Sequence, residues 1–481
     1  MKVLLIAANK LKIPRPALPL GMAFLTSSLE RNGHSVKCID LSFSRDDATE
    51  IKNAVKEQKP ELIGISIRNL DNLCFLDPVF FARDILKVVK LCKRATDSPI
   101  ILGGTGFSIS PKSMLNYTGL DYGISGEAED SLIKFINFLQ GKQPVEHIPG
   151  LYYRKNGTIF SNRLQFIKNL DDILLPNRQI FDKSYFEYPI PALLTDKLDS
   201  ECNNQQTLQT KRGCSLNCIY CPVRKTQGAI ERTKDPKQVV EELRAIKRDY
   251  PHVEKIEFVD STFNIPQDHA KQVCEEIIKS GIKIKWSCQL TNKNITKEIV
   301  SLIEKAGCTR IELGTDSLSE IGLERMRKEF NVSDVFKVDA MLAATTMNVT
   351  HCIFLGVPGE DGHAIRESLQ NLKKLKSNQF YFNFGIRILR GTELAKIAKQ
   401  ERIIDETCDL FVPHYYLSPH IAEDRELIDF IQSEILLQKK FYMWYGLSRN
   451  SLFERVKQVR AELATMKMDY ERVLSYNSGK I

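Results

Sequence analysis

Lys211-Arg212-Gly213-Cys214-Ser215-Leu216-Asn217-Cys218-Ile219-Tyr220-Cys221-Pro222 is the stretch on which the reading of this chain turns. Its cysteines follow a C-x₃-C-x₂-C spacing, so three thiolates can wrap one metal centre and leave a coordination position open. A structural zinc site takes four ligands, and no further Cys or His occurs between Cys221 and His252. Two competing readings stand beside an open centre: zinc completed by a remote residue, or a chance grouping among the twelve cysteines. An iron–sulfur cluster held by three Cys ligands keeps one iron free for another molecule. Cys214, Cys218 and Cys221 are therefore both the metal-ligand and the catalytic candidates.

Outward from this loop, the chain repeats strands and helices. A strand runs into Cys214, and Pro236–Tyr250, Pro266–Ser280, Thr296–Ala306, Ser333–Thr346 and Ile365–Lys376 read as helices. Lys255–Val259, Lys283–Ser287, Arg310–Gly314, Thr350–Leu355 and Gln379–Arg387 read as the strands between them. Six such units of about 30 residues fall short of the eight that close a full barrel, which predicts a partial (β/α)₆ barrel over residues 204–398. Ligands of parallel architectures collect at the carboxyl ends of strands, where the Cys loop lies.

Residues 1–143 alternate in the same manner, from Val3–Ala8 and Leu20–Asn32 to Glu127–Leu139, and predict a Rossmann-like doubly wound α/β domain. Residues 144–203 loosen into short strands with a hairpin at Asn156-Gly157 and read as a linker. Residues 399–481 read as a mainly helical region whose aromatics, Tyr415, Tyr416, Trp444 and Tyr445, stand either in a substrate pocket or in a core.

At 481 residues the chain has room for two or three domains. Hydrophobic content of 43% and charged content of 27% are those of a globular protein, and no apolar run approaches bilayer-spanning length. Cysteines without paired spacing favour reduced thiols, a metal centre and a cytoplasmic setting over a disulfide framework. A net charge of +8 is modest for this length and argues against nucleic acid as a partner.

With Tyr220 before the third Cys and Arg212-Gly213 before the first, the loop resembles that of the radical SAM superfamily. The resemblance implies a [4Fe–4S] cluster whose free iron chelates S-adenosyl-L-methionine. It extends to Glu257–Asn264, which holds Asp260, and to Ala306–Ser317, which holds Glu312 and has Asp316 where the family usually has Glu. It continues in Leu323-Glu324-Arg325-Met326-Arg327-Lys328, in the turn of Gly356 and Pro358, and in the last strand at Arg387. Tyr220, Asp260, Glu312, Asp316, Gly356, Pro358 and Arg387 are thus the cofactor-pocket candidates of the barrel.

The N-terminal domain is similar to the cobalamin-binding domain of B12-dependent radical SAM enzymes, through Pro19–Leu25, Gly33–Val36 and Ser125–Glu129. Its candidates are Ser66, Arg68 and Asn69 after the third strand, Gly103, Gly104 and Thr105 after the fourth, and Gly126 and Glu127 after the fifth. No D-x-H-x-x-G motif occurs, so cobalt is not expected to take a histidine from below.

The two resemblances together imply methyl transfer to an unactivated carbon of a small-molecule or natural-product substrate, through a 5′-deoxyadenosyl radical and methylcobalamin. An external electron donor such as flavodoxin or ferredoxin is implied as well. The same cofactors also serve oxidations, cyclisations and ring rearrangements without methyl transfer. A tRNA methylthiotransferase would need Cys38, Cys74 and Cys92 as a second ligand set, and a non-catalytic iron–sulfur or zinc protein would bind a partner through its aromatic C-terminal segment. Cys274, Cys288, Cys308, Cys352 and Cys408 show no ligand spacing, so one cluster is expected.

Overall fold

The computed structural model describes residues 1–12, 16–181, 184–187, 204–377, 379–436, 441–443 and 451–477. Trp444 and Tyr445 lie outside the described residues. The chain forms two compact units, one of Met1–Asn72, Val79–Asn203 and Met466–Ile481, the other of Leu73–Pro78 and Asn204–Thr465.

The first unit holds seven strands: β1 (Lys2–Ala7), β2 (Ser35–Asp40), β3 (Leu62–Ser66), β4 (Ile100–Gly103), β5 (Tyr122–Ile124), β6 (Leu151–Lys155) and β7 (Thr158–Ser161). They lie in the order β2-β1-β3-β4-β5-β6-β7, and β1 to β5 run parallel. In β1, Val3 to Ala7 are all buried, as a strand covered on both faces by crossover helices requires. Phe135 and Ile136 of the helix Glu129–Leu139 pack with Val3, Leu5 and Ile101 in one core. The order reverses between β1 and β3, and that switch point opens a crevice at the carboxyl edge.

The hairpin at Asn156-Gly157 forms with both residues at positive φ, 50° and 78°, as a two-residue turn with the twist of its strands requires. It is no linker, however. β6 pairs antiparallel with β5, so the hairpin extends the first sheet, because Leu151 and Tyr153 add their buried faces to its core.

In the second unit β8 (Gln205–Leu208) is the first barrel strand, and β9 (Lys211–Arg212) and β10 (Arg232–Thr233) form a small ladder across the Cys loop. β11 (Lys255–Phe258), β12 (Lys285–Thr291), β13 (Cys308–Asp316), β14 (Asn348–Leu355) and β15 (Gln379–Phe384) complete the six expected strands. β16 (Ile386–Arg387), β17 (Tyr415–Tyr416) and β18 (Phe441–Met443) follow. The large sheet has the order β18-β15-β14-β13-β12-β11-β8, all parallel and open at its ends. It therefore has a seventh strand, contributed by the C-terminal region rather than by the six-unit repeat.

That region is also less purely helical than its sequence suggests, since β17 returns antiparallel to β16. Helices Arg425–Leu436 and Leu452–Asn477 supply Ile428, Ile431, Leu452 and Val456 to the barrel's outer core. Tyr415 and Tyr416 are buried, so packing accounts for both. No described helix is long and apolar enough to cross a membrane.

Candidate functional site

Backbone bonds and one apolar anchor fix the Cys loop at the end of β8. The Cys214 N–H donates to the Gly228 carbonyl (3.1 Å), and the Ser215 N–H donates to Glu231 Oε1 (2.6 Å). Arg224 Nη1 donates to the Ser215 carbonyl (2.7 Å). Ile219 is 2% exposed and sits in an apolar cluster with Met326, Val357, Ile388 and Leu394. Its N–H reaches the Met326 carbonyl (3.4 Å), and its carbonyl accepts from Leu394 (2.9 Å). Cys218 and Tyr220 thus flank a residue anchored by packing and two backbone bonds.

A polar network joins this loop to the end of β13. The Tyr220 hydroxyl donates to Asp316 Oδ2 (2.5 Å), and Lys328 Nζ forms an ion pair with the same carboxylate. Lys328 also donates to Cys218 Sγ (3.3 Å) and to the Tyr220 hydroxyl (3.4 Å). Burial alone would lower the Lys328 pKa, but the Asp316 carboxylate and the Cys218 sulfur outweigh it and hold the ammonium above its usual range. Asp316 has φ +64°, a left-handed conformation that Asp and Asn accept more readily than other side chains do.

Cys214, Cys218 and Cys221 are free thiols, buried or half-buried, and near enough to repel one another as thiolates. Burial raises Cys218 and pushes Cys221 up to about 11. A metal centre overcomes such a shift by binding the thiolate directly. Among the described residues no three His, Cys, Asp or Glu side chains converge on a position for a single ion.

Two orphaned polar atoms give a second sign that a ligand belongs here. Lys211 is 1% exposed and its Nζ has no hydrogen-bond partner among the described residues. Asn292, just beyond β12, is 1% exposed; its Nδ2 donates to Thr315 Oγ1 (3.4 Å) while its Oδ1 is unpartnered. Buried polar groups in native proteins are nearly always paired, so such atoms at strand ends are candidates for ligand contact.

Asp260 lies beneath the loop, not open to a ligand. Its Oδ1 accepts the Thr210 N–H (2.8 Å) and the Lys211 N–H (3.2 Å), and its Oδ2 accepts the Thr210 hydroxyl (2.6 Å). Burial raises its pKa against those bonds.

Glu312 lies within β13, accepting from Gln289 (3.3 Å) beside Arg310 (3.9 Å). Gly356 does not open space for a ligand: at φ +82° a Cβ there would meet Leu417 Cδ1 at 2.2 Å, so the close approach is to protein. Buried Pro358 belongs to the same turn, which Glu360 ties down by accepting from the Gly356 N–H (2.9 Å) and the Ser317 hydroxyl (2.9 Å). Arg387, a cofactor-pocket candidate, donates to the carbonyls of Ile388 (2.6 Å) and Leu410 (3.2 Å), so backbone oxygens take up its guanidinium.

In the first unit the loops after β3 and β4 interlock. Gly104, at φ +92°, lies so close to Ile67 that a Cβ would be 2.5 Å from its carbonyl oxygen, which the Gly106 N–H binds (2.8 Å). Gly103 accepts from the Ile67 N–H (2.8 Å), and Ser66 at the end of β3 accepts from Ala8 (3.1 Å). This holds exposed Arg68 and half-buried Asn69 at the carboxyl edge, with exposed Thr105 opening the helix Thr105–Ile109. Gly126 and Glu127 are committed internally, to Ser108 Oγ (2.9 Å) and the Ile167 N–H (2.7 Å).

At the switch point the buried Asn9 Oδ1 lacks a donor. An exposed cation and an orphaned acceptor on a glycine-tightened edge fit a large amide-bearing ligand such as a corrin. Residues 66–72 contain no His or Cys to ligate a metal from that loop.

Burial pushes Cys38 and Cys74 up to about 11 and Cys92 to about 12. Cys38 lies within β2 and Cys92 within the helix Ala82–Ala95. Sequence reasoning missed Lys211, Asn292 and the role of Lys328. The Arg-Met-Arg-Lys segment was visible, but its return to the Cys loop was not.

Residues 208–372 match the model of the radical SAM superfamily, and residues 7–136 match that of the B12 binding domain. An uncharacterized methyltransferase of Pyrococcus horikoshii is 24% identical over 80% of this chain and 80% of its own length. The tryptophan 2-C-methyltransferase of Streptomyces laurentii is 22% identical over 81% and 73%. The anaerobic magnesium-protoporphyrin IX monomethyl ester cyclase of Rubrivivax gelatinosus is 21% identical over 96% and 81%. Among solved structures, the radical S-adenosylmethionine methyltransferase TsrM of Kitasatospora setae, with cobalamin and a [4Fe–4S] cluster bound, shares this fold at TM-score 0.78, 18% identity and 99% coverage of both chains.

Proposed function

We propose that this member of the B12-dependent radical SAM enzymes is a C-methyltransferase acting on a small organic molecule. The observation that carries the reading is one chain with both a radical SAM domain and a B12 binding domain. When bound, the cluster supplies an electron to cleave S-adenosyl-L-methionine and the cobalamin carries a methyl group.

This chain's residues then have separable tasks. Cys214, Cys218 and Cys221 hold the cluster on a loop that Ile219 anchors. Lys328 steadies Cys218, and Asp316 balances the charge of Lys328. Asn292 Oδ1, a buried acceptor beside Thr315, suits an N–H or O–H of the S-adenosyl-L-methionine. In the first unit Arg68 and Asn69 face the corrin, on the loop that Gly104 fixes.

The substrate class follows from relatives that methylate tryptophan and the hopanoid C-3 position. Reduced cysteines support a cytoplasmic setting, where a flavodoxin- or ferredoxin-type donor reduces the cluster. A second reading, cyclisation without methyl transfer, rests on the cyclase relative that spans 96% of this chain. Anaerobic reconstitution with iron, sulfide and hydroxocobalamin distinguishes the readings from a non-catalytic protein. Absorption of both cofactors and loss of the cluster alone in the C214A/C218A/C221A variant are expected; absence of bound corrin overturns the methyltransferase.

A further inference from the structure

Lys211 is the most completely buried lysine near the Cys loop, at 1% exposure, and its ammonium has no hydrogen-bond partner among the described residues. Buried charges in folded proteins are paired or bound to a ligand. Its neighbours do not meet that need. The carboxylates that act on it are Asp260 and Glu231, together with the Cys214 thiol. Asp260 is committed to Thr210 and to the backbone of Lys211 itself, and Glu231 to the Ser215 N–H. Neither forms an ion pair with Lys211 within the described residues.

Lys328, on the other side of the loop, is a contrast. It bonds to Cys218 and is charge-balanced by Asp316, so it adds little net charge. Lys211 is the uncompensated cation, three residues before Cys214 and buried with it. A four-iron cluster on three thiolates is net negative and becomes more so on reduction. Among the described residues Lys211 Nζ thus has no direct anionic partner, and the Cys loop is built to carry one.

We propose that Lys211 donates a hydrogen bond to a sulfur of the cluster held by Cys214, Cys218 and Cys221, and so raises the cluster's reduction potential. Hydrogen bonds to cluster sulfurs are one of the levers that set such potentials. Burial lowers the Lys211 pKa, in keeping with a group whose counter-charge arrives with the cluster. The inference rests on the cluster reading above, and it makes Lys211 a positioning and tuning residue.

The test compares the full chain with its Lys211→Met, Lys211→Gln and Lys211→Arg variants, first without and then with the cluster. In thermal melts of the cluster-free proteins, K211M is expected to melt higher than the natural sequence, because it removes a buried unpaired charge. A lysine serving the fold alone predicts the reverse, and a lower K211M melt overturns the proposal.

After reconstitution to equal iron and sulfide content, a redox titration read by electron paramagnetic resonance gives the midpoint potential without S-adenosyl-L-methionine. K211M is expected to titrate more negative, leaving a severalfold smaller reduced fraction at a fixed poise, while K211R stays near the natural sequence. K211Q is titrated in place of K211M if the latter loads poorly. Equal potentials in all variants overturn the proposal, as does an unchanged potential with weakened S-adenosyl-L-methionine binding, which assigns Lys211 to that molecule's carboxylate. Failure of the natural sequence to load iron overturns the cluster reading instead.

Discussion

Replacing Lys328 with Met tests whether the loop and the end of β13 are one electrostatic unit. The change keeps the length of the stem and removes the ammonium that reaches Cys218 Sγ (3.3 Å), the Tyr220 hydroxyl (3.4 Å) and the Asp316 carboxylate. Asp316, 3% exposed, then keeps only the Tyr220 hydroxyl as a partner. At an effective dielectric near 20, opposite charges about 4 Å apart attract by about 4 kcal/mol. Stranding one partner of a buried pair costs about 3–5 kcal/mol, and Lys328→Met is expected to fall in that range. Asp316→Asn strands Lys328 in turn and is a clean partner, because Asn accepts the φ of +64°.

The double variant strands neither charge, so its loss is expected to be smaller than the sum of the singles by about 2–3 kcal/mol. The assay is anaerobic urea unfolding of the reduced, cluster-free chain, followed by emission of Trp286, which is buried in β12, in a Trp444→Phe background. A local probe is needed because two units need not unfold together. Losses that add to within about 0.5 kcal/mol would refute the coupling and leave Lys328 a surface-like contact.

Two further outcomes follow from the same unit. Asp339 has its carboxyl lowered from 3.8 to about 2: burial works against this, but bonds from His351, Ser377 and the Lys376 N–H outweigh it. A depressed carboxyl stabilises above its unfolded pKa, so unit stability is expected to fall by about 2 kcal/mol as pH drops from about 4 to about 2. Asp339→Asn should flatten that slope in acid unfolding curves. Ile219→Ala, which empties the anchor between Cys218 and Tyr220, should cost about 2–4 kcal/mol in urea unfolding and reduce iron retained after desalting.

What could be read in the sequence was what is local. The Cys triplet carries its meaning in its spacing, and parallel strands such as Val3–Ala7 announce themselves because both faces are buried. Asn156-Gly157 likewise specified its turn from two residues. The missing parts are long-range. Lys328 meets Cys218 across 110 positions, and no periodicity reports such a meeting. β6 and β7 looked like a connection because the strand that β6 joins, β5, has only three residues. Arg387 had the chemistry of a carboxylate ligand, yet its partners are carbonyls of Ile388 and Leu410, which composition cannot reveal. Lys211 and Asn292 stand out only because their burial and the lack of a partner become visible together.

The central claim, methyl transfer by two cofactors in one chain, is tested most directly by anaerobic turnover of the reconstituted protein with a low-potential reductant and S-adenosyl-L-methionine deuterated in its methyl group. The predicted result is S-adenosylhomocysteine formed together with deuterated methylcobalamin on the protein. A loaded cluster that yields 5′-deoxyadenosine with neither of those products would contradict the account and favour radical chemistry without methyl transfer.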